Sequence, residues 1–251
     1  MPAFRFFTSA DFKKGQTTIL KGTEYHHLVK VMRQKVGDRL ELINGKGFLA
    51  LTEVIFLNKK EAHVEIQELH FQKIPPLTFI LAQAICRQER LETIVEKATE
   101  LGTTRIDLFS SSQSERKTLS EHQLERLKTI AINATKQCGR LYLPEIVLHK
   151  DLSFLKKFSG LKLFGDIAPT AKPLKALQEE LSKHLACLML IGPESGFSEK
   201  EEERFLAEGA IGIKLHELIL RSDTAAIAAM TLLTHFSLEN NSFIDNGLIR
   251  H

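Results

Sequence analysis

The sequence predicts an α/β protein, a mostly parallel sheet with helices on both faces, preceded by a small β-rich segment. Three observations carry that prediction. Continuously apolar runs such as LTFILAQAI (77–85) and LACLML (185–190) read as strands buried on both faces. From residue 77 onward such runs alternate with segments of helical period, the rhythm of a parallel sheet. Before Ile74-Pro75-Pro76 the pattern is one of short alternating strands with little helix, and the two prolines stiffen the junction. The expected division is therefore 1–73 and 74–251.

The first segment opens with Phe4, Phe6 and Phe7, and a strand follows at 17–20. EYHHLVKVMR (24–33) places Tyr25, Leu28, Val29 and Met32 on one helical face. RLELIN and GFLALTEVIFL flank Gly45-Lys46-Gly47, a hairpin signal, and EAHVEIQEL alternates as one more strand. Several short strands with little helix predict a small β-barrel.

Beyond the prolines, RQERLETIVEKATELG (87–102) carries Leu91, Ile94, Val95, Ala98 and Leu101 on one stripe and stops at Gly102. A strand at 105–109 and the polar loop SSSQSERK lead to a helix capped by Ser120 and Gln123. EIVL, a helix around 151–158, LKLFG (161–165) and a helix from Pro173 come next. IGPESGF (191–197) then joins an apolar run to a helix signalled by the S-x-x-E capping box of Ser198 and Glu201. Gly192 and Gly196 allow a sharp turn and close backbone approach, although glycines needed only for the bend would look the same. A second loop, LHELILRSD, follows the run at 210–215 and opens a final helix over 224–238. Two such loops after adjacent strands would face each other across one crevice.

Composition narrows the function classes. Hydrophobic residues at 43% and charged residues at 26% are ordinary for a globular chain. No apolar run reaches the roughly 18 residues of a membrane span, and the N-terminus has no signal-peptide core. Cys86, Cys138 and Cys187 lack a C-x-x-C pattern, which argues against a disulfide framework or zinc site and for a reducing cytoplasm. Residues 1–74 hold twelve Lys and Arg against eight Asp and Glu, a net +4, whereas the remainder has 22 against 23. A basic first segment suits a polyanion such as RNA, or an ordinary solvated surface. P-loop, Rossmann, zincin and serine-hydrolase motifs are all absent from the sequence.

Six fragments in order go further: HHLVKVMRQKVGD (26–38), KATELG (97–102), SER (114–116), ATKQCGRLYLPEI (134–146), IGPESGF (191–197) and LILRSDTA (218–225). Together they resemble, over nearly the whole length, the bacterial RsmE family of SPOUT-class enzymes, which methylate N3 of one uridine in 16S ribosomal RNA. The resemblance implies a PUA-like RNA-binding domain followed by a SPOUT domain with a trefoil knot. It implies S-adenosylmethionine held by the backbone of three loops: Leu163, Phe164 and Gly165; Gly192, Glu194 and Gly196; and Leu215, His216, Leu218, Ile219 and Leu220. It also implies 16S rRNA within the small ribosomal subunit as partner, and a homodimer formed through the final helix.

The chain departs from the family pattern at Ser195 and His216, where the family has glycine, at Leu218, where arginine is common, and at Asp223, where glutamate is usual. Positive φ at Ser195 or His216 would strain a residue bearing a Cβ. Arg221 is the candidate catalytic residue, polarising a uracil carbonyl; pairing with a carboxylate is its structural alternative. Glu194 could accept a hydrogen bond from cofactor or base, or favour the helix N-terminus at Ser198. Arg33, Arg116 and Arg140 are candidate phosphate contacts. The rival function is a non-catalytic RNA-binding or ribosome-assembly protein that retains the fold.

Overall fold

Period-two burial builds the first part of the chain. In the computed structural model, which describes residues 4–240, β2 (Thr17–Lys21) buries Thr18 and Leu20 and exposes the residues between and beside them. The same alternation runs through β3 (Arg39–Ile43), β4 (Phe48–Leu57) and β5 (Glu61–Phe71). With β1 (Arg5–Phe7) they form one sheet in the order β1-β3-β4-β5-β2, antiparallel except for the β1–β3 pair. Strands β1 and β2 remain edges, so the predicted barrel is a PUA-like half-barrel. Its core gathers Phe6, Leu20, Leu28, Leu42, Val54 and Val64.

The expected helix at 24–33 is split into α1 (Gly22–His26) and a wider π-helical turn (His27–Val31). The predicted hairpin joins β3 to β4, with Asn44 Oδ1 accepting from the amides of Lys46 and Phe48. Residues Thr135–Leu143 belong to this same unit. Lys46 and Tyr142 form an antiparallel bridge, Gly47 N donates to Leu141 O at 3.0 Å, and Leu143 N donates to Gly45 O at 3.0 Å. Leu141 packs with Ile43 and Leu49. A cut at 73/74 does not anticipate this segment, because a distant hairpin supplies its partners.

Among the described residues the second unit comprises Pro75–Ala134 and 144–240. Its strands are β6 (Thr78–Ala84), β7 (Arg105–Phe109), β8 (Glu145–His149), β9 (Leu161–Gly165), β10 (Lys172–Pro173), β11 (Ala186–Ile191) and β12 (Ile211–Lys214). They lie in the order β10-β12-β9-β11-β6-β7-β8, and every pair is parallel. Central strand β11 is buried from Cys187 to Ile191, as an apolar run covered on both faces requires. The helices are α2 (Gln88–Glu100), α3 (Glu121–Cys138), α4 (Phe154–Lys157), α5 (Gln178–Ser182), α6 (Glu199–Ala207) and α7 (Ser222–Asn240). From Thr135 the last turn of α3 goes with the first unit.

Two expectations change. The stretch from Pro173 is not one helix but β10, a 3-10 turn (Leu174–Leu177) and the short α5. Strand β9 lies between β11 and β12, so the glycine loop and the LHELILRSD loop do not follow adjacent strands. Three strand ends stand side by side instead. Helix α7 packs on α2, β6 and β11 and buries Ala226, Ala229, Met230 and Leu233, while Leu232 stays exposed. Most of its apolar excess is thus covered within the chain. No helix among the described residues is long and apolar enough to cross a membrane.

Two glycines separate backbone strain from crowding. Gly102 has φ +88 with open space around a built Cβ, whereas Gly47 has φ +93 and its Cβ would meet the Tyr142 side chain and Gln72 O. Gly102→Ala should cost about 1 kcal/mol and Gly47→Ala about 3 kcal/mol, since the second adds overpacking to the left-handed penalty. Urea unfolding of both variants checks this; equal losses would mean that Tyr142 yields freely.

Candidate active site

Because the strands are parallel, β9, β11 and β12 deliver their following loops to one edge of the sheet. A methyl group built on Gly165 would lie 3.6 Å from both Ile191 Cδ1 and Leu215 Cδ1, and 3.8 Å from Met189 Cε. The three strand ends therefore converge on one apolar floor. In the middle loop, Gly196 N donates to Pro193 O at 3.0 Å and Gly196 has φ +75, so the turn needs glycine there. A side chain at Gly192 would come within 3.3 Å of the Gly196 carbonyl carbon and 3.5 Å of Phe197 N. Neither Ser195 nor His216 has positive φ, since Arg33 is the one described non-glycine residue that does. His216 Nδ1 instead accepts from Leu218 N at 3.0 Å and orders the last loop. Beside it Leu218 and Ile219 are 72% and 82% exposed.

Behind these loops is a buried clamp that sequence reasoning missed. Gln83, near the end of β6, is fully buried, and its Nε2 donates to Ala84 O at 2.9 Å, Ser222 Oγ at 3.0 Å and Gly192 O at 3.3 Å. Ser222 Oγ donates to the same Gly192 carbonyl at 2.6 Å. One amide thus ties the glycine loop to the first residue of α7, next to Arg221. The available signal was a glutamine inside an apolar run, LTFILAQAI. Burial, with Glu194 nearby, pushes the Cys86 thiol up to about 12, so it stays protonated and unreactive. Glu194 Oε1 accepts from Arg87 N at 3.1 Å and lies 3.7 Å from the Arg90 guanidinium. Its structural partner is the start of α2, not the Ser198 helix.

Comparison with known proteins names this arrangement. A family model described as an RNA methyltransferase domain matches residues 73–234, and one described as an RNA methyltransferase PUA domain matches 20–67. The ribosomal RNA small subunit methyltransferase E of Buchnera aphidicola is 30% identical over 224 residues, covering 87% of this chain and 90% of that protein. The protein of the same name from Helicobacter pylori is 31% identical, covering 85% and 92%. The chain belongs to the ribosomal RNA small subunit methyltransferase E family. A solved structure of the Neisseria gonorrhoeae member bound to S-adenosyl methionine superposes with a TM-score of 0.83 at 28% identity, covering 93% of this chain and 97% of that one.

In this methyltransferase Arg221 is exposed, with no side-chain hydrogen bond or ion pair to another described residue. The carboxylate partner weighed for it is not found among the described residues. Arg116 is exposed on the loop after β7. Arg33 and Arg140 lie in the first unit. Arg33 is exposed; Arg140 is half-buried, and burial brings its guanidinium down to about 10. Leu163, Phe164 and Gly165, expected in a loop, are instead the last residues of β9; with the two other loop segments and Arg221 they lie in one unit, and the arginines proposed for RNA are divided between the two.

The loop bearing Arg116 is anchored by the enzyme's capping box. Glu201 Oε2 accepts from Ser198 N at 3.0 Å and Ser112 Oγ at 2.7 Å, and Oε1 accepts from Ser112 N at 2.8 Å. Burial pushes this carboxylate up, but the Ser198 and Ser112 bonds outweigh it and hold Glu201 below its ordinary 4.5. A depressed carboxylate contributes stability above its unfolded pKa and loses it as pH falls through the folded value. Glu201→Gln should therefore cost about 2 kcal/mol at pH 7, with the gap to wild type closing in acid. Denaturant titrations at pH 7 and below about 4 check this; a pH-independent gap would remove the charge from the explanation.

Proposed function

We propose that this enzyme transfers a methyl group from S-adenosylmethionine to N3 of a specific uridine of 16S ribosomal RNA within the small ribosomal subunit. The observation that carries this reading is the convergence of three parallel strand ends on an apolar floor, flanked by an exposed arginine. The residues fit such a cofactor. Leu163 and Phe164, laddered within β9, set the position of Gly165; backbone groups at Gly165, Gly192, Gly196, Leu215 and His216 read an adenine edge, and exposed Leu218 and Ile219, with Leu220, cover its faces. Glu194 supports the glycine loop through Arg87. The bound cofactor supplies a sulfonium methyl, an electrophile already activated.

The protein's own task is alignment and proton removal. Arg221 places a guanidinium beside the uracil carbonyls and stabilises the charge that develops as N3 loses its proton. Arg33, Arg116 and Arg140 engage phosphates. In this reading the α7 segment threads a loop to form the trefoil knot, a second copy packs through the α7 region, and the enzyme works in the cytoplasm. The non-catalytic alternative drew on strain at Ser195 and His216, and with neither at positive φ that ground is gone.

Arg221→Ala should slow single-turnover methylation of unmodified small subunits by about a hundredfold, the loss typical of one preorganised donor. Cofactor affinity, measured by titration of the same variant, should hold, because that site is mainly backbone. Wild-type rates would remove Arg221 from the chemistry. Parallel loss of stability and cofactor binding would make it part of the scaffold.

A further inference from the structure

The turn that closes the π-helix carries an arginine where the backbone favours glycine. Met32 N donates to His27 O at 2.9 Å, Gln34 N donates to Leu28 O at 3.1 Å, and the reversal between them falls at Arg33, with φ +55. A left-handed residue just past a helix end, here under a backbone bond from Gln34 back to Leu28, is a position in which glycine is commonest. Any residue with a Cβ costs stability there. Nothing in the unit offsets that cost: the Arg33 side chain is exposed and makes no hydrogen bond or ion pair to another described residue.

The surroundings point to an anion. Lys30 and Lys35 are also exposed, and neither ammonium pairs with a described carboxylate. The single acid of the turn, Asp38, accepts from Lys35 N at 2.7 Å. Elsewhere in the unit Arg5, Lys21, Lys46 and Lys136 pair with Glu41, Glu61, Asp11 and Glu24, while Lys13, Lys14, Arg39, Lys59, Lys60 and Lys73 are likewise unpaired among the described residues; the turn is set apart by the left-handed arginine at its centre. Three cations within six residues are left unneutralised on a turn held rigid by its own backbone bonds.

We propose that the Arg33 turn is a phosphate-binding site for the RNA backbone, centred on Arg33 and flanked by Lys30 and Lys35. The left-handed arginine is kept there for binding and at the expense of stability. Three cations without an aromatic platform suit sequence-independent contact with phosphodiesters. The site rests on the reading of the substrate as ribosomal RNA.

The variants Arg33→Gly and Arg33→Lys of the full chain test it, with binding to a 16S hairpin and to an unrelated hairpin of equal length followed against salt. Arg33→Gly should raise the unfolding midpoint while weakening both RNAs on the order of tenfold and lowering the salt slope by about one. Arg33→Lys should keep the slope and the wild-type midpoint. Unchanged RNA binding by Arg33→Gly, a lowered midpoint, or a wild type that binds neither RNA would overturn the proposal. Arg33→Gly losing RNA while wild type fails to methylate small subunits would uphold this site and sink the methylation reading instead.

Discussion

The carbonyl of Gly192 is the fixed point of the candidate site. It accepts from Ser222 Oγ and from the buried amide of Gln83, so the glycine loop, the end of β6 and the start of α7 share one hydrogen-bonded centre. A glutamine amide at a fully buried strand end is costly unless it is hydrogen-bonded, and here Nε2 reaches three acceptors while Oε1 has no partner among the described residues. That requirement holds the loop and the helix start in a single relation. Arg221 flanks Ser222 and inherits its position from the clamp.

A second buried group extends the order outward. Glu201 caps α6 and holds the loop after β7 through Ser111 and Ser112, so the segment carrying Arg116 is tied to the helix that follows the glycine loop. The Arg87–Glu115 pair spans the same region, but both side chains are largely exposed and such a pair contributes little. Burial separates the two cases. Glu201 is shielded and multiply hydrogen-bonded, and removing it leaves several donors unmet.

Local signals were legible in the sequence. The strands at 105–109 and 161–165 and the capping box of Ser198 and Glu201 are where pattern and spacing put them. What escaped is non-local. Thr135–Leu143 looks like a helix end and linker until the hairpin at 45–47 supplies its backbone partners. Nothing in spacing reveals that β9 inserts between β11 and β12. Gln83 sat unnoticed in an apolar run, since its role depends on Ser222, 139 positions away. The expected strain at Ser195 and His216 did not arise, because the turn places positive φ on Gly196 and the last loop uses His216 as a side-chain acceptor.

The central claim is that a backbone cradle closed at Gly192 holds the cofactor. A side chain at Gly192 would press on Gly196 and Phe197 N, so Gly192→Val must widen the turn or fill the cradle. Isothermal titration of S-adenosylmethionine into wild type and Gly192→Val, with unfolding midpoints measured on both, tests this most directly. The account predicts saturable binding by wild type and none by a folded Gly192→Val. Wild-type affinity in the variant would place the cofactor elsewhere.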